Sequence, residues 1–440
     1  MRTFDVRTFG CQMNKHDSER IAGMLEANGF VRAPDPDSAD VVVFNTCCVR
    51  ERADERVRGQ VASLKPAARD RGVVIAVGGC VAQRDGERLL AQLPHVDVVF
   101  GTHNVERLPE LLAAAEESGR PQVETIEAAT GFTSDLPSHR EHPWHAWVPI
   151  AVGCDNFCTY CVVPYVRGRE RSRPLEDVVS DVERLAADGV AEVTLLGQNV
   201  NSYGRDLYGE PRFAEALRRV AAAGVERVRF TTSHPKDLSA ETIEVMATTP
   251  QVCRYLHLPV QSGSDAILQV MNRHYTQASY LELVERLYDA MPDLALSTDV
   301  IVGFPGETEE DFEQTMRVIE AARYDQAFTF LYSPRAGTPA AAMDPQVPRE
   351  AAQGRFDRLV AAVQASALGK NLRYAGRTER VLIEGASKRD EHVLLGRTAS
   401  NKVVHAPVLD GRSPQEYAGA FLDVAIEEAQ TWFLLGRIVE

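Results

Sequence analysis

The sequence predicts an α/β protein in three parts: an N-terminal doubly wound parallel sheet, a central partial TIM-like (βα)6 barrel and a small C-terminal antiparallel β-barrel. Strand-like and helix-like runs alternate over residues 1–118 and again over 144–371, as in parallel sheets with helical crossovers. Residues 374–440 instead hold short strand-like runs without helices between them, which is typical of a small barrel. A chain of 440 residues is long enough for two or three such domains.

The composition is that of an ordinary globular protein, with 44% hydrophobic and 25% charged residues. The formal net charge of −15 argues against a protein that coats nucleic acid nonspecifically, although screening leaves room for a local basic track. Residues 1–10 lack the apolar segment of a signal peptide, and no run approaches the roughly 18 apolar residues of a membrane span. Eight cysteines without an export signal indicate metal or redox chemistry rather than disulfides, so we expect a cytoplasmic protein.

The N-terminal part brings three cysteines to one edge of its predicted sheet. Strand-like runs cover 4–10, 40–46, 73–79 and 96–101, and helix-like runs cover 17–28, 51–65 and 84–92. Cys11, Cys47 and Cys80 each follow one of the first three strands, and ligands of open α/β sheets bind beyond the carboxyl ends of the strands. The pattern predicts a site of three thiolates, although small buried cysteines also occur at strand ends. We exclude Cys48, which would point away in an extended chain, and assign Cys253 to the core.

A linker is expected at 119–143, where glycine, proline and polar residues cluster. His139 and His142, with His145 just beyond, are candidate metal ligands, but solvated histidines are commoner in such segments.

The central part predicts six strands with helices between them, and a site at the carboxyl-terminal mouth of those strands. The strand-like runs are 147–152, 192–197, 227–232, 255–260, 294–303 and 327–333. The helix-like runs are 175–188, 213–223, 240–248, 265–271, 277–290 and 309–323, with Thr276 and Thr308 as N-caps.

Small polar residues follow several of these strands and are candidates for contact with a ligand: Gln198, Asn199, Ser233, Gln261 and Ser262. The loop at 303–307 resembles a phosphate cradle, but three glutamates crowd the start of the next helix and disfavour an anion there. A cationic or a neutral ligand group would be better tolerated there.

A C-x3-C-x2-C motif follows the first strand of the central part and is the strongest signal in the chain. Its thiolates, Cys154, Cys158 and Cys161, are soft ligands that select iron–sulfur clusters, zinc or Cu(I). A structural zinc site needs four closed ligands, and no fourth cysteine or histidine follows closely. Three thiolates on a four-iron cluster leave one iron free to take a substrate. The alternatives are a structural zinc knuckle or three buried cysteines.

An alternating arginine row follows the motif. If the chain is extended there, Arg167, Arg169, Arg171 and Arg173 line one face and suit a carboxylate or an RNA backbone. The alternative is a solvated loop.

The C-terminal part contains strand-like runs at 378–384, 392–398, 402–406, 421–429 and 431–439. A small barrel of this kind belongs to a class that includes oligonucleotide binders, but the segment is not strongly basic.

With these residues in hand, nearly the whole chain resembles the radical S-adenosylmethionine (SAM) methylthiotransferases of the MiaB type. The resemblance rests on the strings FGCQMN at 9–14, NTCCVR at 45–50, VGGC at 77–80, GCDNFCTYCVVPY at 153–165, LLGQNVN at 195–201, TSHP at 232–235, HLPVQSGS at 257–264, MNR at 271–273, DVIVGFPGE at 299–307 and YSPRAGT at 332–338. The chain departs from the family at Val152, where many members carry Glu, which puts in doubt an acidic role at that position.

The resemblance implies two 4Fe-4S clusters, an auxiliary one held by Cys11, Cys47 and Cys80 and a SAM-binding one held by Cys154, Cys158 and Cys161. Tyr160 would shield the cluster or pack on adenine, and the remaining SAM contacts would come from Gln198, Asn199, Ser233, Gln261, Ser262 and Asp299. The C-terminal barrel would be a TRAM-like RNA-binding domain.

The implied reaction replaces the C2 hydrogen of N6-isopentenyladenosine, at position 37 beside the anticodon of a tRNA, with a methylthio group. The resemblance also implies an electron donor of the flavodoxin or ferredoxin type, and we expect a monomer without membrane attachment. Relatives that act on threonylcarbamoyl-adenosine stay as an alternative. So does a non-catalytic RNA-binding iron–sulfur sensor.

Overall fold

The structure is a computed structural model that describes residues 2–48, 51–126, 132, 136–409 and 412–439. The strands of the first part are β1 (Thr3–Thr8), β2 (Val31–Arg32), β3 (Val41–Thr46), β4 (Val74–Gly79), β5 (Val98–Phe100) and β6 (Gln122–Glu124). Its helices are α1 (Gln12–Ala27), α2 (Glu51–Ser63), α3 (Lys65–Arg71), α4 (Cys80–Asp85), α5 (Glu87–Gln92) and α6 (Leu108–Ser118). The strands form one parallel sheet in the order β2-β1-β3-β4-β5-β6.

This sheet is covered on both faces, as the prediction of a doubly wound sheet requires. Every residue of β3 is buried, which explains its uninterrupted apolar sequence. Phe44 packs with α2 on one face, and Val43 packs with α1 and α6 on the other. The parallel arrangement places the carboxyl ends of β1, β3 and β4 at one edge.

Several elements of the first part differ from the prediction, which contained neither β2 nor β6. β6 lies inside the predicted linker and extends the sheet through pairing with β5. Helix α1 begins at Gln12 instead of residue 17, because its polar first turn is buried against the sheet end: Asn14 Nδ2 donates to Asn45 Oδ1 over 3.1 Å and to the Thr46 carbonyl over 2.8 Å. Residues 127–131 and 133–135 of the predicted linker lie outside the described residues, as do Val49 and Arg50.

The central part contains the strands β7 (His145–Pro149), β8 (Ala151–Val152), β9 (Arg171–Ser172), β10 (Glu192–Leu196), β11 (Arg227–Phe230), β12 (Tyr255–His257), β13 (Ala295–Val302) and β14 (Gln326–Leu331). Its helices are α7 (Val163–Arg167), α8 (Leu175–Ala187), α9 (Arg205–Tyr208), α10 (Phe213–Ala221), α11 (Ala240–Thr248), α12 (Asp265–Val270), α13 (Gln277–Ala290), α14 (Glu309–Ala322) and α15 (Arg349–Leu372).

The central part is a partial barrel, as predicted. Two parallel three-stranded sheets, β7-β10-β11 and β12-β13-β14, are joined by a parallel bridge between Val228 and Val252. The predicted N-caps are confirmed, since Thr276 and Thr308 each form a capping box with the residue three positions on. The sequence does not predict α15, which packs on β14 and α14, because its buried face includes Arg355, Lys370 and Asn371.

The C-terminal part is a closed five-stranded barrel in the order β15-β16-β17-β19-β18. Its strands are β15 (Thr378–Ala386), β16 (Val393–Thr398), β17 (Val403–Pro407), β18 (Phe421–Ala429) and β19 (Leu434–Ile438). Neighbouring strands run antiparallel, except that β17 and β19 are parallel.

This barrel docks on the amino-terminal side of the central strands, away from their mouth. The guanidinium of Arg227, at the start of β11, donates to the carbonyls of Arg397 and Arg380 over 2.9 and 2.6 Å. Asp325, just before β14, forms ion pairs with Lys370 of α15 and Lys402 of the barrel, at 3.5 and 2.7 Å. These contacts fix the barrel to the core. Among the described helices, none has both the length and the apolar character needed to cross a membrane.

Candidate metal centre

The first cysteine site, here called the loop site, consists of Cys154, Cys158 and Cys161 in the loop after β8. Gly153 leads into it with a φ of +79°, and a Cβ there would lie 2.0 Å from the Arg169 carbonyl oxygen. Only glycine therefore fits at position 153. The Cys154 amide then donates to the Gly168 carbonyl over 3.1 Å, which closes the loop.

The loop-site thiols lie close together in a desolvated environment. Burial and, to a smaller extent, the neighbouring Cys158 thiol raise the pKa of Cys154 to about 11 and that of Cys161 to about 12. Thiols in such surroundings become thiolates when a bound metal supplies the compensating positive charge. This donor set fits a metal cluster.

The mouth beside the loop site contains buried polar atoms that the described residues leave without a hydrogen-bond partner. They are Gln198 Oε1, Asn199 Oδ1, Asn201 Nδ2, Ser233 Oγ and His234 Nε2. Buried polar atoms are nearly always paired in folded proteins, so these atoms fit a polar ligand that enters the mouth. Gln198, Asn199 and Ser233 were predicted from strand ends. His234 stands in the same strand-end loop as Ser233 but was not among the predicted cofactor contacts, and Asn201 was missed, although it stands in the string LLGQNVN.

The other predicted cofactor contacts are arranged differently. Gln261 adopts a left-handed conformation (φ +67°), and its backbone bonds to Asp299 and Ile301. Asp299 lies 3.4 Å from His257 Nε2. Ser262 is fully buried and directed towards Thr315 of α14, so the structure does not bring its hydroxyl to the unpartnered atoms.

Tyr160 lies behind the loop site in an aromatic cluster. Its ring meets Phe304 edge-on at 6.4 Å, and Phe304 in turn meets Tyr332 at 5.2 Å. Burial raises the pKa of Tyr160 far above its usual range. The side chain is partly buried and packs against the hydrophobic cluster that contains Phe304.

The second cysteine site, here called the sheet site, gathers Cys11, Cys47 and Cys80 from the ends of β1, β3 and β4. Two glycines permit this close approach: a Cβ on Gly10 would lie 2.3 Å from Cys47 Cβ, and one on Gly79 would lie 2.5 Å from the Thr46 carbonyl oxygen. The Cys11 thiol also lies 3.3 Å from Asn14 Oδ1.

Hydrogen bonds and a cation favour thiolates at the sheet site. A bond with Cys47 and the charge of Arg167 lower the pKa of Cys11 to about 6. A bond with Cys48 and the same guanidinium lower the pKa of Cys80 to about 7. The prediction that Cys48 points away is wrong, because the chain bends after β3 instead of continuing extended. Cys253 is buried near Arg229, apart from both sites.

Helix α7 connects the two sites. It begins two residues after Cys161 and ends at Arg167, whose Nη2 lies 3.0 Å from Asp17 Oδ2 of α1 and whose guanidinium bonds the Cys80 thiol. Five residues of α-helix span about 8 Å. Thr102, beyond β5, donates to the Val166 carbonyl over 2.7 Å, which fixes α7 against the first part.

The arginine row does not form one exposed face, because α7 is helical and Gly168 turns the chain with a φ of +76°. Arg167 and Arg173 are buried in ion pairs with Asp17 and Asp181, the second over 2.5 Å. Arg169 is exposed and pairs with Asp155, and Arg171 stacks over Phe132. Only Arg169 and part of Arg171 face solvent.

The histidines near the predicted linker have other roles: His139 pairs with Glu26, His142 stacks on Trp144, and His145 bonds Thr194. Within the described ranges, no three His, Cys, Asp or Glu side chains are arranged to hold a single metal ion. A four-iron cluster makes no such demand, because each thiolate binds a different iron atom. The three-thiolate donor set of each cysteine site is of the kind that binds such a cluster.

Comparison with known proteins first defines the class. Family models match the Radical SAM superfamily over residues 148–319, the Uncharacterized protein family UPF0004 over 3–101 and the TRAM domain over 372–439. The radical SAM methyltransferase TsrM from Kitasatospora setae has the same fold, with a TM-score of 0.57 at 16% identity over 78% of this chain and 75% of that chain. The central part of the chain is therefore a radical SAM domain.

Two curated relatives then define the family. The chain is 51% identical to the tRNA-2-methylthio-N(6)-dimethylallyladenosine synthase of Acidothermus cellulolyticus over 433 residues, 97% of this chain and 86% of the relative. It is 47% identical to the synthase of the same name from Carboxydothermus hydrogenoformans over 442 residues, 100% of this chain and 99% of the relative. The chain belongs to the tRNA-2-methylthio-N(6)-dimethylallyladenosine synthase family.

Proposed function

We propose that the protein is a tRNA methylthiotransferase that converts N6-isopentenyladenosine at position 37, beside the anticodon, to its 2-methylthio derivative. The observation that carries the proposal is the pair of three-cysteine sites at the two ends of α7. Hydrogen removal and sulfur insertion at one carbon require two reactive centres close together, and α7 keeps the two sites about one short helix apart. The relatives' names and the matched families support the same activity.

Each site would hold one 4Fe-4S cluster. The loop-site cysteines would bind the cluster that takes SAM, and the sheet-site cysteines would bind an auxiliary cluster. When bound, these groups supply the one-electron chemistry that an aromatic C2–H needs and that no side-chain acid or base provides. The chain contributes thiolates, exclusion of water and orientation.

The mouth residues would bind and orient SAM. Gln198, Asn199 and Ser233 offer buried atoms without partners among the described residues, and these suit the amino, carboxylate and ribose groups of SAM. Tyr160 and Phe304 would keep water from the loop site. Gln261, Ser262 and Asp299 would act mainly by shaping the strand ends beneath the ligand.

The tRNA would contact two surfaces of the protein. The C-terminal barrel matches the TRAM domain, but it docks on the side of the core away from the mouth, so the RNA must extend past the core to reach the reactive centres. The target base must also leave its stack, at a cost of roughly a few kcal/mol. Arg169, exposed beside the mouth, is a candidate phosphate contact.

Domain limits of 1–118, 144–371 and 374–440, with a linker at 119–143, would divide these roles between auxiliary centre, radical SAM core and RNA-binding barrel. A flavodoxin- or ferredoxin-like donor would supply electrons to a monomeric enzyme.

The experiment that tests the proposal incubates anaerobically reconstituted protein with SAM, a reductant and tRNA that carries N6-isopentenyladenosine. Mass spectrometry of the digested tRNA should detect the 2-methylthio nucleoside, and 5′-deoxyadenosine should accumulate. A product found only with threonylcarbamoyl-adenosine tRNA would move the assignment to the related enzymes. Absence of 5′-deoxyadenosine would instead indicate a non-catalytic sensor.

A further inference from the structure

The loop at 271–274 folds back onto the loop site. Asn272 and His274 both have left-handed backbone conformations, with φ of +61° and +53°. Asn tolerates this conformation better than most residues but still at some cost. Surrounding contacts must therefore hold the turn in place.

Four hydrogen bonds join this turn and the last residue of α12 to the cysteine loop. Asn272 Nδ2 donates to the carbonyls of Asn156 and Phe157, each over 3.1 Å. The Thr159 amide donates to the Met271 carbonyl over 3.2 Å, and its hydroxyl donates to the Val270 carbonyl over 2.9 Å. The bonds cover both sides of Cys158, so the turn fixes the backbone around that ligand.

Arg273 reaches the ligand itself. Its Nη1 donates to Cys158 Sγ over 3.4 Å, its Nη2 donates to the Pro259 carbonyl over 2.9 Å, and its Nε donates to Tyr275 Oη over 2.9 Å. Tyr275 in turn donates to the Val260 carbonyl over 2.9 Å. The guanidinium is thus held by the segment that follows β12 and by Tyr275, and it donates to one cysteine sulfur.

The charge of Arg273 lacks a carboxylate counterpart. The residue is 4% exposed, and no Asp or Glu in the described part of the chain forms an ion pair with it, whereas buried Arg167, Arg173 and Arg355 each have one. An isolated buried charge is strongly unfavourable. The anionic partner within reach is the Cys158 sulfur as a metal-bound thiolate.

We infer that Arg273 is a positioning residue that orients Cys158 and raises the reduction potential of the loop-site cluster, while Asn272 fixes the surrounding loop. Hydrogen bonds to ligand sulfurs and nearby positive charge favour the reduced cluster. The inference rests on the proposed function only in assigning a cluster to the loop site. Outer partners of this kind typically affect affinity or activity by about ten- to hundredfold.

The test uses the full-length reconstituted protein with the sheet site disabled by Cys47→Ala, so that one cluster is observed. Arg273→Met and Arg273→Lys are compared with Arg254→Met, a partly exposed arginine paired with Asp293 on the surface. The readouts are iron content and the midpoint potential of the cluster, measured by electron paramagnetic resonance in a redox titration without SAM or tRNA.

We expect Arg273→Met to shift the midpoint to a more negative potential, Arg273→Lys to shift it less, and Arg254→Met to leave it unchanged. At a fixed reductant potential, 5′-deoxyadenosine formation should fall about ten- to hundredfold in Arg273→Met. If Arg273→Met fails to retain iron, the Arg273→Lys variant carries the test. The inference is overturned if the midpoint potential of Arg273→Lys equals that of Arg254→Met, and if any Arg273→Met protein that retains iron also has that potential. Because the titration needs no substrate, a shifted midpoint in these variants, together with no methylthiolation by the protein whose sheet site is intact, would contradict only the proposed function.

Discussion

The loop site takes its three cysteines from one short segment, whereas the sheet site takes its three from the ends of separate strands and exists only once the sheet has formed. Their electrostatics differ as well. Burial raises the pKa of Cys154 to about 11, while a bond with Cys47 and the charge of Arg167 lower that of Cys11 to about 6. The loop site therefore depends on local backbone geometry, and the sheet site depends on long-range packing and on one buried cation.

The largest effect should come from removing one ligand at each site. Cys154→Ala should abolish both SAM cleavage and methylthiolation, because the SAM-binding cluster loses a ligand. Cys47→Ala should still cleave SAM but form no methylthio product. Chromatography of 5′-deoxyadenosine and mass spectrometry of tRNA nucleosides measure the two steps. Methylthiolation that survives in either variant would contradict the division of roles.

The next effect concerns the buried ion pair that joins the sheet site to α7. Arg167→Met leaves buried Asp17 with His16 but without its guanidinium partner, and we expect a loss of about 3–5 kcal/mol in the free energy of unfolding. Iron should be lost from the sheet site and kept at the loop site. Denaturant unfolding of the iron-free protein and iron analysis measure these changes.

The matched control for the ion pair is the double variant Arg167→Met with Asp17→Leu, in which both charges of the pair are removed. It should regain most of the stability but not the sheet-site iron, because Cys80 still lacks its cation. If the double variant recovers both, Arg167 acts on the sheet site through folding alone.

A smaller effect should separate backbone clash from backbone conformation at the loop site. Gly153 and Gly189 both have positive φ, but a Cβ meets the Arg169 carbonyl oxygen at 2.0 Å in the first and nothing within 4 Å in the second. Gly189→Ala should cost about 1–2 kcal/mol of stability. Gly153→Ala should cost more and should also lower loop-site iron, as measured by unfolding and iron content. Equal losses of stability and of loop-site iron in the two variants would mean that iron binding does not require the tight loop at Gly153.

The smallest effect is expected at Cys48, whose thiol bonds Cys80 without belonging to the trio. Cys48→Ala should keep the full iron content, whereas Cys80→Ala should lose the iron of the sheet site. Iron lost to the same extent in both variants would make Cys48 a ligand and change the composition of the site.

The comparison also explains how much the sequence could predict. Strands such as β3 can be predicted from the sequence because a strand in a sheet covered on both faces needs an unbroken apolar run. The two cysteine sites can be predicted because the loop-site cysteines have a short spacing and the sheet-site cysteines each follow a strand. The Arg167–Asp17 ion pair cannot be predicted from the sequence, because its members lie 150 positions apart and each resembles an ordinary surface charge.

Buried polar residues account for the other differences. The first turn of α1 and the face of α15 carry Asn14 and Arg355, whose partners come from distant segments, so their polarity resembles that of a loop or a solvated helix. The bend that turns Cys48 towards Cys80 and the contact of Arg273 with Cys158 depend on tertiary packing. Such tertiary contacts cannot be predicted from local sequence patterns.

The most direct test of the two-site account counts iron and acid-labile sulfide per chain in three anaerobically reconstituted proteins. These are the unaltered chain, a variant with alanine at Cys154, Cys158 and Cys161, and a variant with alanine at Cys11, Cys47 and Cys80. The account predicts about eight irons in the first and about four in each of the others. About four irons in the unaltered chain, with none in one variant and no loss in the other, would contradict it.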